Sequence, residues 1–151
     1  MNKAVDENEH SLEMHLPYIK KTLPDVKLVP IMVGNLSADQ EKQFGQKISA
    51  YMGDDTNLFI VSSDFCHWGS NFDYYRQDMS LEVWQSVEKL DKQGMQLIEN
   101  HDYESYHQYL EETENTICGR HPIGVFLNAI RSYANSANIG EKIKTKFVKY
   151  A

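Results

Sequence analysis

The chain has 151 residues, 41% of them hydrophobic and 25% charged, which is the size and apolar share of one globular domain with a core. Acidic residues outnumber basic ones 22 to 15 for a formal charge of −7, and apart from a weak cluster over residues 142–149 the cations are scattered, which argues against generic nucleic-acid binding. No apolar run approaches membrane-spanning length, the start over residues 1–6 resembles neither a signal nor a transit peptide, and only two cysteines occur. The expectation is a soluble, cytoplasmic protein from a reducing compartment, with neither nucleic acid nor membrane as partner.

Residues 9–22 carry a helical pattern that Pro17 either kinks or restarts. Residues 26–33 read as a strand closed by Gly34, with Pro30 marking an irregularity or an edge. Ser37 and Gln40 have capping-box spacing and open a helix expected to reach about Met52. The short apolar run 58–61 reads as a strand buried on both faces. A helix from about Met79 to Glu99 is interrupted by Gly94, Asp102 caps a shorter one to about Glu112, Pro122 suits the first turn of another through Ala134, and residues 143–150 alternate as a final strand. This order predicts an α/β layered domain with helices covering a sheet. Three strands make a thin sheet with unpaired edges, so sequence is expected to be missing at both ends, and association through exposed sheet edges is expected.

Three stretches carry chemistry. In residues 115–124 (NTICGRHPIG), Cys118 falls just before a helix, where the dipole, Arg120 and any charge on His121 favour the thiolate that attacks electrophiles or binds metal. The same residue types equally fit a small buried cysteine in a loop. Residues 62–69 (SSDFCHWG) follow directly on the apolar run 58–61, and the carboxyl ends of strands in an open α/β sheet are where ligands bind. There His67 is a candidate general acid or base, with Asp64 fixing its tautomer. The competing reading is a polar turn in which Asp64 and the serines satisfy backbone donors. Trp68, Tyr74 and Tyr75 could wall a pocket or simply pack. In the acidic run from Asp6, His10 and Glu13 share one helical face, as do Ser11 and His15, a spacing that suits a shared ligand and equally a well-capped helix start. His101 and His107 need no special role.

Residues 6–18 (DENEHSLEMHLPY), 61–69 (VSSDFCHWG), 90–95 (LDKQGM) and 115–124 (NTICGRHPIG), taken together and in this order, resemble the Memo family. The resemblance implies a layered α/β/α sandwich like that of the class III extradiol dioxygenases, of which only the C-terminal part is present, so that residues 1–151 form a single partial Memo-like domain. It implies Cys118 as a metal ligand, His67 as the histidine beside the metal, and Asp64 and His121 as further pocket positions. Copper or iron is the implied metal, and thiolate with imidazole suits copper. The family's two histidine ligands belong to Ala-Pro-His-Ala-Gly and Gly-Pro-Ser-His-His motifs that this chain lacks, so one ligand of three remains and no metal is expected to be held stably.

Three functions follow as expectations. The first is a metal-dependent oxidase or dioxygenase-like activity of the complete protein, with Asp64, His67 and His121 as catalytic candidates and this chain catalytically incomplete. The second is a module in which His67 and Cys118, with His10 and Glu13 as further candidate ligand contacts, bind a receptor phosphotyrosine peptide in signalling and cell motility. The third is an inactive structural fragment.

Overall fold

The computed structural model describes Lys3, Glu7 and residues 9–139 and 142–150, and it divides into two compact units, Met1–Gly34 and Asn35–Ala151. In the first unit the Glu9 carboxylate accepts the backbone N–H groups of Ser11 and Leu12 and the Ser11 hydroxyl, which caps the turn that follows. A 3-10 turn, Glu13–His15, leads into α1, Leu16–Thr22, with Pro17 in its first turn. The proline therefore starts this helix, because a first-turn residue has no intrahelical N–H bond to lose.

Among the described residues the second unit holds four helices. Helix α2, Ala38–Ser49, opens with the predicted box, the Ser37 hydroxyl accepting from Gln40 N–H at 3.3 Å and the Gln40 amide accepting from Ser37 N–H at 2.9 Å. Helix α3, Val83–Glu99, runs through Gly94 without a break. Helix α4, Tyr103–Thr113, is capped by Asp102, and α5, Arg120–Ala137, ends at Asn138 in the left-handed conformation. Helix α2 lies along α5 so closely that a Cβ on Gly45 would fall 2.8 Å from the Val125 carbonyl oxygen, so only glycine fits there.

The core is a stripe of tyrosines. Tyr103, Tyr106 and Tyr109 recur every three residues along one face of α4 and meet Ile117, Ile123 and Leu127, with Phe65 and Leu90 packed at the margin. Aromatic rings supply large buried area per residue, which suits a small core.

The expected layered α/β/α sandwich is not what forms. Among the described residues there is no sheet, and the one ladder contact is an antiparallel bridge between Gly69 and Tyr74. Residues 26–33, 58–61 and 143–150, each expected as a strand, carry no regular secondary structure. The reason is that a strand satisfies only half of its own needs: its N–H and C=O groups require a neighbouring strand, and alternation of side chains does not supply one. The Phe147 N–H goes to the Glu99 carboxylate at 2.7 Å, and Val29 and Val148 stay 78% and 93% exposed.

Candidate functional site

The helix cap of α5 and the turn after residues 58–61 are built against each other. Ile117, with no exposed surface, anchors the loop between α4 and α5, and this fixes its neighbours Thr116 and Cys118. The loop runs beside residues 63–67, and hydrogen bonds stitch the two. His67 N–H donates to the Thr116 hydroxyl at 2.6 Å, which donates back to the His67 carbonyl at 2.9 Å. Gly119 N–H donates to the Ser63 hydroxyl at 3.0 Å, and Asp64 N–H donates to Cys118 Sγ at 3.1 Å. A Cβ on Gly119 would lie 2.7 Å from the Ser62 carbonyl oxygen and nearer still to Ser63, so glycine permits the approach.

Asp64 joins the two reactive side chains along this seam. Its N–H points at the Cys118 sulfur, and its carboxylate lies 3.8 Å from His67 Nε2. His67 Nδ1 is 2.9 Å from the Thr116 carbonyl, and a carbonyl only accepts, so Nδ1 carries the proton and the neutral ring keeps Nε2 as a base or ligand. Phe72 packs on the ring with centroids 4.7 Å apart and restricts its orientation. Cys118 is exposed and immediately precedes the Gly119 cap of α5, as its sequence position predicted. Together these groups offer a sulfur nucleophile, an oriented imidazole and a carboxylate in one open place.

His121 has a different partner. Its Nδ1 sits 2.6 Å from Oε1 of the buried Glu41, whose Oε2 accepts from the Tyr103 hydroxyl at 2.8 Å. Burial and the Glu41 charge push the Tyr103 phenol well above its usual range. His10 and Glu13 lie exposed in the first unit, Asp6 and Asn8 of the same acidic run fall outside the described residues, and the local bonds around Glu9 are those of a capped turn. Of the expected pocket aromatics, Trp68 packs edge-on against Tyr75, and Tyr74 is buried with its hydroxyl on the Thr113 carbonyl.

Behind the seam lies a residue that sequence reasoning passed over. Asp91, 3% exposed, accepts hydrogen bonds from Cys66 N–H at 3.1 Å, Asn115 Nδ2 at 3.2 Å and the Tyr150 hydroxyl at 3.0 Å. One carboxylate thus ties together the 62–69 turn, the 115–124 segment and the chain's last stretch. Burial, reinforced by the Asp91 charge, pushes the Cys66 thiol up to about 11, which makes it the inert cysteine of the two. The signal was present as an acid among the apolar positions of an amphipathic helix, and as part of the 90–95 motif.

A metal centre needs three or more converging donors. Among the described residues no three His, Cys, Asp or Glu side chains are grouped so as to hold an ion, so this donor set does not by itself fit copper or iron. No helix among the described residues is long and apolar enough to cross a membrane.

A family model described as Memo-like protein matches residues 1–151. Protein MEMO1 of Homo sapiens is 47% identical over 156 residues, an alignment covering 100% of this chain and 52% of that protein. Protein MEMO1 of Danio rerio is 46% identical with the same coverage, and the memo-1 homolog of Caenorhabditis elegans is 39% identical over 142 residues, 91% of this chain and 41% of that protein. The chain spans about half the length of the curated relatives it matches.

Proposed function

Since the chain belongs to the Memo family, we propose that it carries the thiol-and-imidazole part of a metal-dependent redox or signalling cleft, with Cys118 as a metal-binding sulfur and His67 as the group that moves protons. The observation that carries this reading is the seam at Asp64, which sets the Cys118 sulfur and the His67 ring around one residue. Thiolate sulfur and imidazole are donor types that suit copper, or iron as the alternative, and either metal would supply redox chemistry once donors beyond the described residues completed the set. Because the described residues do not complete a donor set, no reaction step is assigned to the metal. The part played by this chain's own residues is to expose the sulfur, to hold His67 as the Nδ1–H tautomer through Thr116, and to keep Nε2 free to take or give a proton. A cytoplasmic location belongs to the same reading.

Recognition of a phosphotyrosine peptide ranks second. Asp64 places negative charge 3.8 Å from His67 Nε2, where a phosphate would have to sit. The two readings, and that of a fragment without function, are separated by titrating the chain with copper(I) against a competing chelator. The chain is expected to yield most of its copper to the chelator, Cys118→Ala to lose the remainder, and His67→Ala to keep it. Identical retention by the parent and Cys118→Ala chains would contradict a sulfur ligand. A phosphotyrosine peptide that binds tightly without metal, and weakly to His67→Ala, would reverse the ranking.

A further inference from the structure

The chain's last stretch carries an unpaired positive stripe on an acidic molecule. Exposure alternates residue by residue from Lys142 to Val148, the pattern of an extended chain with one face docked and the other outward. The inner face is held at several points: Phe147 packs edge-on against Phe65 with ring centroids 5.9 Å apart, the Thr145 hydroxyl lies 2.6 Å from His101 Nε2, and the Tyr150 hydroxyl reaches Asp91. The outer face is Lys142, Lys144 and Lys146, followed by Val148, with Lys149 exposed next to it.

The chain is not short of anions, since its formal charge is −7. Yet none of these four lysines has an ion pair or a side-chain hydrogen bond among the described residues, whereas Lys3, Lys42, Lys89 and Lys92 each meet a carboxylate. The carboxylates that do reach this stretch are taken by other donors, Glu99 by the Phe147 N–H and Asp91 by the Tyr150 hydroxyl. The backbone is open as well. Among the described residues, the Phe147 N–H is the one backbone N–H or C=O group of residues 143–150 with a hydrogen-bond partner.

A complementary partner has two things to supply. One is negative charge at the lysine repeat, about 6.6 Å for every second residue of an extended chain, and the other is both donors and acceptors for the backbone. The phosphates of a membrane or a nucleic acid accept hydrogen bonds without donating them, and either would approach against the chain's net negative charge. A second extended polypeptide has the same repeat and both kinds of backbone group. We infer that residues 142–149 form a docking edge for an acidic, extended segment of a partner protein, which adds as a strand with a carboxylate at every second position beside Lys142, Lys144 and Lys146. The anchored inner face holds the edge extended beforehand, so little ordering remains on binding. The edge uses neither Cys118 nor His67 and stands apart from the thiol-and-imidazole reading.

The test is fluorescence anisotropy of a labelled peptide of alternating glutamate and threonine, about ten residues long, titrated with the chain at about 0.1 M salt. Saturable binding is expected, with amide exchange of residues 143–150 slowed in the complex. A peptide of the same composition with its glutamates in one block should bind about tenfold more weakly. Lys144→Glu with Lys146→Glu should weaken the alternating peptide about tenfold, whereas Lys21→Glu with Lys27→Glu, an equal change of net charge elsewhere, should change it less than about twofold. No saturable binding at millimolar concentration would overturn the proposal, and so would equal binding of the block peptide or undiminished binding to the Lys144→Glu, Lys146→Glu chain. Binding that leaves amide exchange at residues 143–150 unchanged would reduce the stripe to diffuse attraction and overturn strand addition. Phosphatidylserine vesicles or single-stranded RNA that bind the stripe while the peptide does not would overturn it in favour of a phosphate-bearing partner.

Discussion

The seam between residues 63–67 and 115–119 has two sides that share sequence neighbours and differ in everything else. On the buried side Cys66 and Asn115 hang on the Asp91 carboxylate, every contact is internal, and the thiol is pushed up to about 11. On the open side Cys118, His67 and Asp64 touch only at their edges and keep unused capacity: a free Nε2, an exposed sulfur and an exposed carboxylate. The same pair of strands of chain therefore builds a rigid backing and a reactive front. Burial beside the Asp91 carboxylate makes Cys66 inert, and exposure at a helix cap makes Cys118 available.

The contrast can be broken most forcefully from behind. Asp91→Ala leaves Cys66 N–H, the Asn115 amide and the Tyr150 hydroxyl without their shared acceptor, so unfolding free energy is expected to fall by about 3 kcal/mol, read by urea denaturation. A loss under 1 kcal/mol, as an estimate of surface behaviour, would show that the carboxylate is no hub. The next largest effect is kinetic. Under limiting iodoacetamide at pH 8, Cys118 should be modified first and Cys66 about a hundredfold more slowly than a peptide thiol, because burial and the Asp91 charge keep Cys66 protonated, with mass spectrometry assigning the sites. The raised Cys66 thiol also fixes a pH dependence. Between pH 9 and 11 the folded chain keeps a proton on Cys66 that the unfolded chain has lost, so stability falls as pH rises through that window, and Cys66→Ser should flatten the first part of the decline in Tm.

Gly119→Ala attacks the seam from the front. The added methyl meets Ser62 and Ser63 and should cost about 2 kcal/mol and slow Cys118 alkylation, since the sulfur loses the Asp64 N–H that favours its thiolate. Smallest of all is Asp64→Ala. Its exposed carboxylate contributes to a long ion pair, so the change in stability should stay within about 0.5 kcal/mol, and a larger loss would move Asp64 from the open side to the supporting one.

Local signals were legible because they act over a few residues. Ser37 with Gln40 and Asp102 stand where short-range hydrogen bonding requires them, and Cys118 stands just before a helix start that Pro122 announces. Strands were not legible, because the alternation at 143–150 states which side chains could face a core and says nothing about whether another strand lies alongside. His121 was read as part of the same cleft as His67, and its actual partner Glu41 is 80 residues away in the chain, a pairing that no local spacing announces. Asp91 hid for the same reason: on an amphipathic helix a buried acid is recognised only once its neighbours are known.

Residues 67 and 118 share one seam, and a nitroxide attached to Cys118 in a Cys66→Ser chain reads that proximity. The His67 imidazole NMR signals are expected to broaden away in the presence of the radical and return when ascorbate reduces it. His67 signals that keep full intensity beside an intact label would contradict the shared seam.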